Sequence, residues 1–223
     1  KGNEKKSEDF IKIWDIAFNS SLSFGELQNY EPNQKIATRK VWGPFIEKFA
    51  KNDPFVVGGS ADLEPSNVTA GFANLVDDFS SNNKNGRNFA YGVREFPMSA
   101  MMNGMALHGG LIPFGGTFLV FADYERPALR LGALQNIRVI HEFTHDSFYV
   151  GEDGPTHQPI EHAMSLRTIP NFNVFRPADA KETAICFRIA LENKHTPSAL
   201  LLTRQGVPVL EQNYDTLEND VKR

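Results

Sequence analysis

The chain has 223 residues, 41 % of them apolar and 18 of them Phe, enough for one sizeable core without staples. A formal charge of −4 with no basic block argues against nucleic acid or a membrane surface as partner, and no apolar run approaches the roughly 18 residues of a membrane span. A single cysteine excludes an internal disulfide and points to a reducing, cytoplasmic setting.

The chain opens on Lys1, which reads as a piece of a longer product, and its first nine residues are mostly polar. Phe10, Ile13, Trp14 and Ala17 then repeat at helical spacing. Ser21–Gln34 reads as loop and Ile36–Phe49 as a second helix. Beyond residue 54, apolar runs predict strands at Phe55–Val57, Asn88–Tyr91, Leu111–Phe114, Arg138–Phe143, Phe172–Phe175 and Ala199–Thr203. Helical patterns fall between several of them, at Glu95–His108, Tyr124–Gln135, Glu161–Arg167 and Asp179–Glu192. The least regular stretch is Ser66–Arg87. From Gly206 the chain turns polar and reads as a linker. Strands alternating with helices predict an α/β fold, a mostly parallel sheet with helices on both faces. The expected division is a linker and helix over 1–34, an α/β domain over 35–205 and a linker over 206–223.

In open α/β sheets, ligands collect at the carboxyl ends of the strands. There the sequence places Gly58-Gly59-Ser60-Ala61-Asp62, Gly92-Val93-Arg94-Glu95, Gly115-Gly116-Thr117-Phe118, Thr144-His145-Asp146-Ser147 and Arg204-Gln205. Glycines, histidines, carboxylates and arginines gathered on one rim predict an active site. His141-Glu142-Phe143-Thr144-His145 matches the zinc-protease pattern, but that chemistry needs a helix. On the strand predicted by Arg138-Val139-Ile140, the imidazoles stand about 13 Å apart and cannot share an ion. No phosphate-cradling P-loop and no dinucleotide fingerprint is present. Ser60 lacks the frame of a nucleophile elbow, and Cys186 sits in an apolar helical pattern as a structural thiol.

Gly-Gly-Ser-Ala-Asp-Leu at 58–63, Pro-Ser-Asn at 65–67, Gly-Val-Arg-Glu-Phe at 92–96, Leu-His-Gly-Gly at 107–110, Thr-His-Asp-Ser at 144–147 and Gly-Glu-Asp-Gly-Pro-Thr-His-Gln-Pro at 151–159 resemble transketolase in order and spacing. Ala-Thr-Arg-Lys at 37–40, Met-Asn-Gly at 102–104 and Leu-Thr-Arg-Gln at 202–205 extend the match, which covers about residues 35–205. The resemblance is to the family's central domain, which holds the pyrimidine ring of thiamine diphosphate. It implies the thiamine-diphosphate-binding fold and transfer of a two-carbon ketol unit from a ketose phosphate to an aldose phosphate, in the pentose phosphate pathway. In the family, the diphosphate and its Mg2+ or Ca2+ belong to another domain, so this piece alone is expected to be inactive. The family's active sites form between the subunits of a homodimer. Two departures stand out: Phe148-Tyr149 replace a small pair, which could reshape the substrate funnel, and Gly206 replaces the usual Asn.

Carried over residue by residue, Glu95 is the carboxyl beside N1′ of the aminopyrimidine, expected to be partly buried. By itself it also reads as a helix-start glutamate satisfying the dipole. Phe118, Phe121 and Tyr124 enclose the pyrimidine, with Phe121 the stacking ring; their spacing alone reads as core. Asp62 lies near the thiamine. His145 and His157 face the thiazolium and the sugar, and imidazole suits both because it donates or accepts near neutral pH. Asp153 checks a sugar hydroxyl. Arg39, Ser66 and Arg204 grip the terminal phosphate, for which guanidinium forks are suited. The rival readings are dihydroxyacetone synthase, 1-deoxyxylulose-5-phosphate synthase, or a non-catalytic transketolase-like binding chain.

Overall fold

Chain order is β1 (Lys35–Ile36), α1 (Arg39–Asn52), β2 (Val56–Ser60), α2 (Glu64–Asn67), α3 (Ala70–Val76), α4 (Glu95–His108), β3 (Ile112–Phe118), α5 (Ala122–Leu134), β4 (Ile140–Thr144), α6 (His162–Arg167), β5 (Asn173–Phe175), α7 (Ala180–Glu192), β6 (Ser198–Leu202) and β7 (Val207–Pro208). Short 3-10 turns cover Leu119–Phe121 and Pro155–His157. The computed structural model describes residues 30–211 with Thr216 and Val221, so the predicted helix at Phe10–Ala17 and most of the Ser21–Gln34 loop lie outside the described residues.

Five strands pair in the order β2-β3-β4-β6-β5, and every pairing is parallel. All residues of β2, β3, β4 and β6 are buried, as expected of a parallel sheet covered on both faces, although only β6 (Ser-Ala-Leu-Leu-Leu) is close to an unbroken apolar run and β4 buries His141 and Glu142. Right-handed crossovers explain the layers. From β2 to β5 the chain advances in one direction, so α4, α5 and α6 share a face. The step from β5 back to β6 reverses direction and puts α7 on the other face, beside α1.

On the α1–α7 face, Trp42 packs edge-on against Phe114 at 5.6 Å and Phe187 at 4.9 Å, and Phe45 meets Phe187 at 4.8 Å. Each such pair adds about 0.5–1.5 kcal/mol beyond area burial. The opposite face is lined by Leu119, Leu129, Phe143, Leu166 and Leu201. The start of α7 is fixed by its cap: Asp179 Oδ1 accepts from Glu182 N at 2.9 Å, while Ala178 N donates to Glu182 Oε2 at 2.7 Å.

The structure corrects several predicted elements. Asn88–Tyr91 is not a strand: Asn88 makes one isolated parallel bridge to Gly58 and another to Asp78. The chain then turns at Gly92, whose φ of 66° suits glycine, and enters α4. The predicted strand Leu111–Phe114 runs on to Phe118, taking in Gly115, Gly116 and Thr117, which had been expected beyond its end. The helix expected from Tyr124 starts at Ala122. Part of the irregular Ser66–Arg87 stretch forms α3, and α2 ends in it. The structured body also passes the boundary expected at residue 205. Val207–Pro208 pairs antiparallel with Lys35–Ile36, Val209 is buried, and Leu210 N donates to Asp179 Oδ2 at 2.8 Å.

Candidate active site

The rim is assembled by hydrogen bonds among strand ends. Asn67, fully buried at the end of α2, ties three of them together. Ser60 Oγ donates to its Oδ1 at 2.8 Å, and its Nδ2 donates to Thr117 O at 3.1 Å and Thr144 Oγ1 at 2.9 Å. The ends of β2, β3 and β4 are thereby locked at one level. A second tie joins residues far apart in the chain. Thr38 N donates to Thr203 Oγ1 at 3.0 Å, and Thr203 N donates to Thr38 Oγ1 at 2.7 Å. This reciprocal pair sets Arg39, which follows Thr38, beside Arg204, which follows Thr203. Arg39 Nη1 also donates to Ser66 O at 2.7 Å. Three residues of the expected phosphate grip are therefore drawn together, although Arg39 meets the Ser66 carbonyl and not its hydroxyl.

Next to this group stands an aromatic and imidazole cluster. The Phe118 ring lies 4.9 Å from His145 and 5.9 Å from His157. Phe121 lies 5.8 Å from Phe118, 5.4 Å from His157 and 6.0 Å from Tyr124. His157 Nδ1 is 2.9 Å from Thr156 Oγ1, which orients the ring. His145 is buried, with Nδ1 lacking a partner. Burial, then the charges of Arg39 and Arg204, lower its pKa to about 3, so the imidazole is neutral. The arginines that raise the local positive charge thus keep His145 able to accept a proton or hydrogen bond.

Glu95 opens α4 and is only 8 % exposed. Tyr124, by contrast, is 66 % exposed, and Phe121 is half-buried. A buried carboxyl and open aromatic faces on one rim suit a planar heteroaromatic ring with a hydrogen-bonding nitrogen. Asp62, φ 64°, follows β2 and is exposed, and Asp153 is exposed on the loop after β4. Neither makes a side-chain hydrogen bond among those found for the described residues.

The structure also buries ionisable groups to which the sequence analysis gives no role. Glu125, on the inner face of α5, has its carboxyl 3.5 Å from His141 Nδ1, and both side chains are essentially inaccessible. Burial first, and the charge of Glu95 second, push the Glu125 carboxyl well above its ordinary range. Burial lowers His141 to about 3. Glu142, on the opposite face of β4, sits where a Cβ on Gly116 would come within 2.7 Å of its Oε2, so a larger residue there would have to displace the carboxyl. Burial raises its carboxyl strongly, and Asn67 and the Arg39 charge oppose this only in part. His141 and Glu142 lie on a strand, as predicted, so the zinc-protease pattern has no helical face to act from. The helical spacing of Ala122, Ala128, Leu129 and Ala133 marks position 125 as inward-facing, a signal the sequence contains.

A parallel α/β domain whose strand ends gather a buried carboxyl, histidines, paired arginines and open aromatic faces has the architecture of a ligand-binding α/β domain. The sequence profile described as "Transketolase, pyrimidine binding domain" matches residues 34–209, and the chain belongs to that family. It is 54 % identical to a transketolase of Geobacillus stearothermophilus over 196 residues, 87 % of this chain and 29 % of the relative. It is 51 % identical to a transketolase of Bacillus subtilis over 85 % of this chain and 28 % of that protein. The chain thus spans about three tenths of the curated relatives it matches. Transketolase from Leishmania mexicana superimposes with a TM-score of 0.83 at 42 % identity, covering 92 % of this chain and 31 % of that one. A Pichia stipitis transketolase described in complex with sedoheptulose 7-phosphate gives 0.84 at 38 % identity, over 96 % of this chain and 33 % of that one.

Proposed function

We propose that this chain is the pyrimidine-binding part of a cytoplasmic transketolase, acting with thiamine diphosphate to move a two-carbon ketol unit between sugar phosphates. The observation that carries this is the rim itself: Glu95, the Phe118–Phe121–Tyr124 wall, two histidines and the paired Arg39 and Arg204. When bound, the cofactor supplies a carbon nucleophile and an electron sink. The chain's own residues do the rest. Glu95 holds a proton at the ring nitrogen it faces, and its burial strengthens that hydrogen bond. Phe121 and Tyr124 orient the ring and exclude water from one side. His145, kept neutral, and His157, oriented by Thr156, exchange protons with the sugar's oxygens. Arg39 and Arg204 bind the terminal phosphate, with Ser66 beside them, and Asp153 meets a hydroxyl at the open side. Asp62 lines the thiamine side.

In this reading the diphosphate and its Mg2+ or Ca2+ are held by another domain, and the working unit is a homodimer whose active sites lie between subunits. Exposed Val93, Phe96, Met101 and Leu107 on and beside α4 supply an apolar face for that contact. No helix among the described residues is long and apolar enough to cross a membrane. The test is a donor screen with the chain in its complete enzyme. Ketose phosphates should serve as donors. Activity with pyruvate instead would favour the synthase alternative, and cofactor binding without turnover on any donor would favour a binding chain.

A further inference from the structure

The geometry points to a divalent transition-metal site, of the zinc and cobalt class, formed by His162, Asp123 and Glu161 at the junction of α5 and α6. This proposal does not depend on the transketolase reading. His162 is only 5 % exposed, and neither ring nitrogen has a hydrogen-bond partner of good geometry among the described residues. Each nitrogen nevertheless has a carboxylate nearby, off the ring N–H direction: Nε2 lies 3.2 Å from Asp123 Oδ2 and Nδ1 lies 3.9 Å from Glu161 Oε2, and an ion on Nε2 would take Glu161 by rotation of its side chain. With one atom taken from each residue, the three ligand atoms lie within 4.8 Å of one another.

Bond lengths of about 2.0–2.2 Å to nitrogen and oxygen put tetrahedral ligand atoms about 3.4 Å apart. The His162–Asp123 separation already meets this. The Glu161 side chain is 71 % exposed and free to close the remaining gap by rotation. One imidazole with two carboxylates selects the zinc class over Mg2+ and Ca2+, which take oxygen ligands. Waters would complete the shell on the open side.

The position gives such an ion a role. Asp123 sits between Phe121 and Tyr124, on the start of α5, while His162 follows directly from the loop that carries His157. One cross-link between these helices already exists a turn further along, where Arg126 Nη1 and Nη2 donate to Ser165 Oγ and O. A metal at His162 would be a second link and would fix the aromatic wall against the histidine loop. Arg126, three residues after Asp123, is committed to Ser165.

Proton and metal compete for the same imidazole. The test is therefore titration of the purified chain, without thiamine diphosphate, with Co2+ at neutral pH. The expected result is one equivalent of Co2+ with the intense visible absorption of a low-coordinate site, displaced by Zn2+ but not by equal Mg2+. His162→Gln should abolish it, and Asp123→Asn and Glu161→Gln should each weaken it at least about tenfold. The last two side chains are exposed, so these variants keep the fold. His108→Gln and His195→Gln, at exposed positions, should leave binding unchanged. Absence of the cobalt absorption, or equal affinity in wild type, Asp123→Asn and Glu161→Gln, would overturn the proposal. So would a His162 ring NMR signal that added Zn2+ leaves unchanged.

Discussion

Replacing Glu142 by Gln isolates one buried carboxyl and gives a pH signature that packing alone cannot produce. The unfolded chain releases the Glu142 proton near the ordinary value of 4.5, whereas burial makes the folded chain retain it well above that. The folded pKa is raised, so the contribution to stability is fully present below 4.5 and is lost as pH rises toward the folded value. Between those limits the folded state binds one more proton than the unfolded state, and stability falls by about 1.4 kcal/mol per pH unit. Gln keeps the shape beneath Asn67 and Gly116 but cannot titrate. The wild type should therefore lose ground to Glu142→Gln by about that amount for each pH unit over which the folded carboxyl stays protonated. Glu125, raised in the same direction, and His141 and His145, lowered to about 3, have their own slopes, but these cancel in the difference. Urea denaturation of both proteins at several pH values from mildly acidic to neutral measures it. A wild-type-to-variant gap that stays constant with pH would refute the argument, because Glu142 would then be ionised in the fold.

Three further outcomes follow from the same structure. Phe148 and Tyr149 stack at 4.4 Å and stand more than half exposed beyond His145. Replacing them with Ile and Gly in the complete enzyme should change KM for sugar phosphates several-fold while leaving cofactor affinity unchanged by calorimetry. The apolar face around Phe96, Met101 and Leu107 should make the chain self-associate, and light scattering showing a strict monomer at high concentration would contradict that. The chain alone, lacking the diphosphate contacts expected from another domain, should show no transketolase turnover; measurable turnover would mean that its own residues hold the whole cofactor.

The alternation of strands and helices is legible because the strands, buried on both faces, open on short apolar runs such as Val56-Val57, Val139-Ile140 and Ala199-Leu200-Leu201-Leu202. Edges were harder. Asn88 bridges one residue on each side, too little pairing to give a periodic signal, and Asn88–Tyr91 was read as a strand on propensity alone. The two glycines of β3 read as a loop, yet both stand where side chains from neighbouring elements come close. A Cβ on Gly115 would come within 2.7 Å of Met102 Sδ, and one on Gly116 would meet Glu142. The rim residues were found through motif order, since nothing local in Arg39 or Arg204 foretells their meeting. That meeting depends on the Thr38–Thr203 bonds, which span 165 positions. Glu125 has no motif to mark it, and Glu142 enters only within the zinc-protease pattern, because carboxyls are rarely expected inside a core, although the α5 pattern places position 125 inward.

The central claim is that Glu95 activates a bound cofactor, and exchange of the thiazolium C2 proton tests it most directly. The measurement is made by NMR on the complete enzyme without sugar, comparing wild type, Glu95→Gln and His157→Ala. A positioned acid–base group contributes about 10²–10⁴-fold. Exchange should slow by a factor of that order in Glu95→Gln and remain near wild type in His157→Ala, whose part comes later, at the sugar. Wild-type exchange in Glu95→Gln would contradict the account and reduce Glu95 to a carboxylate at the start of a helix.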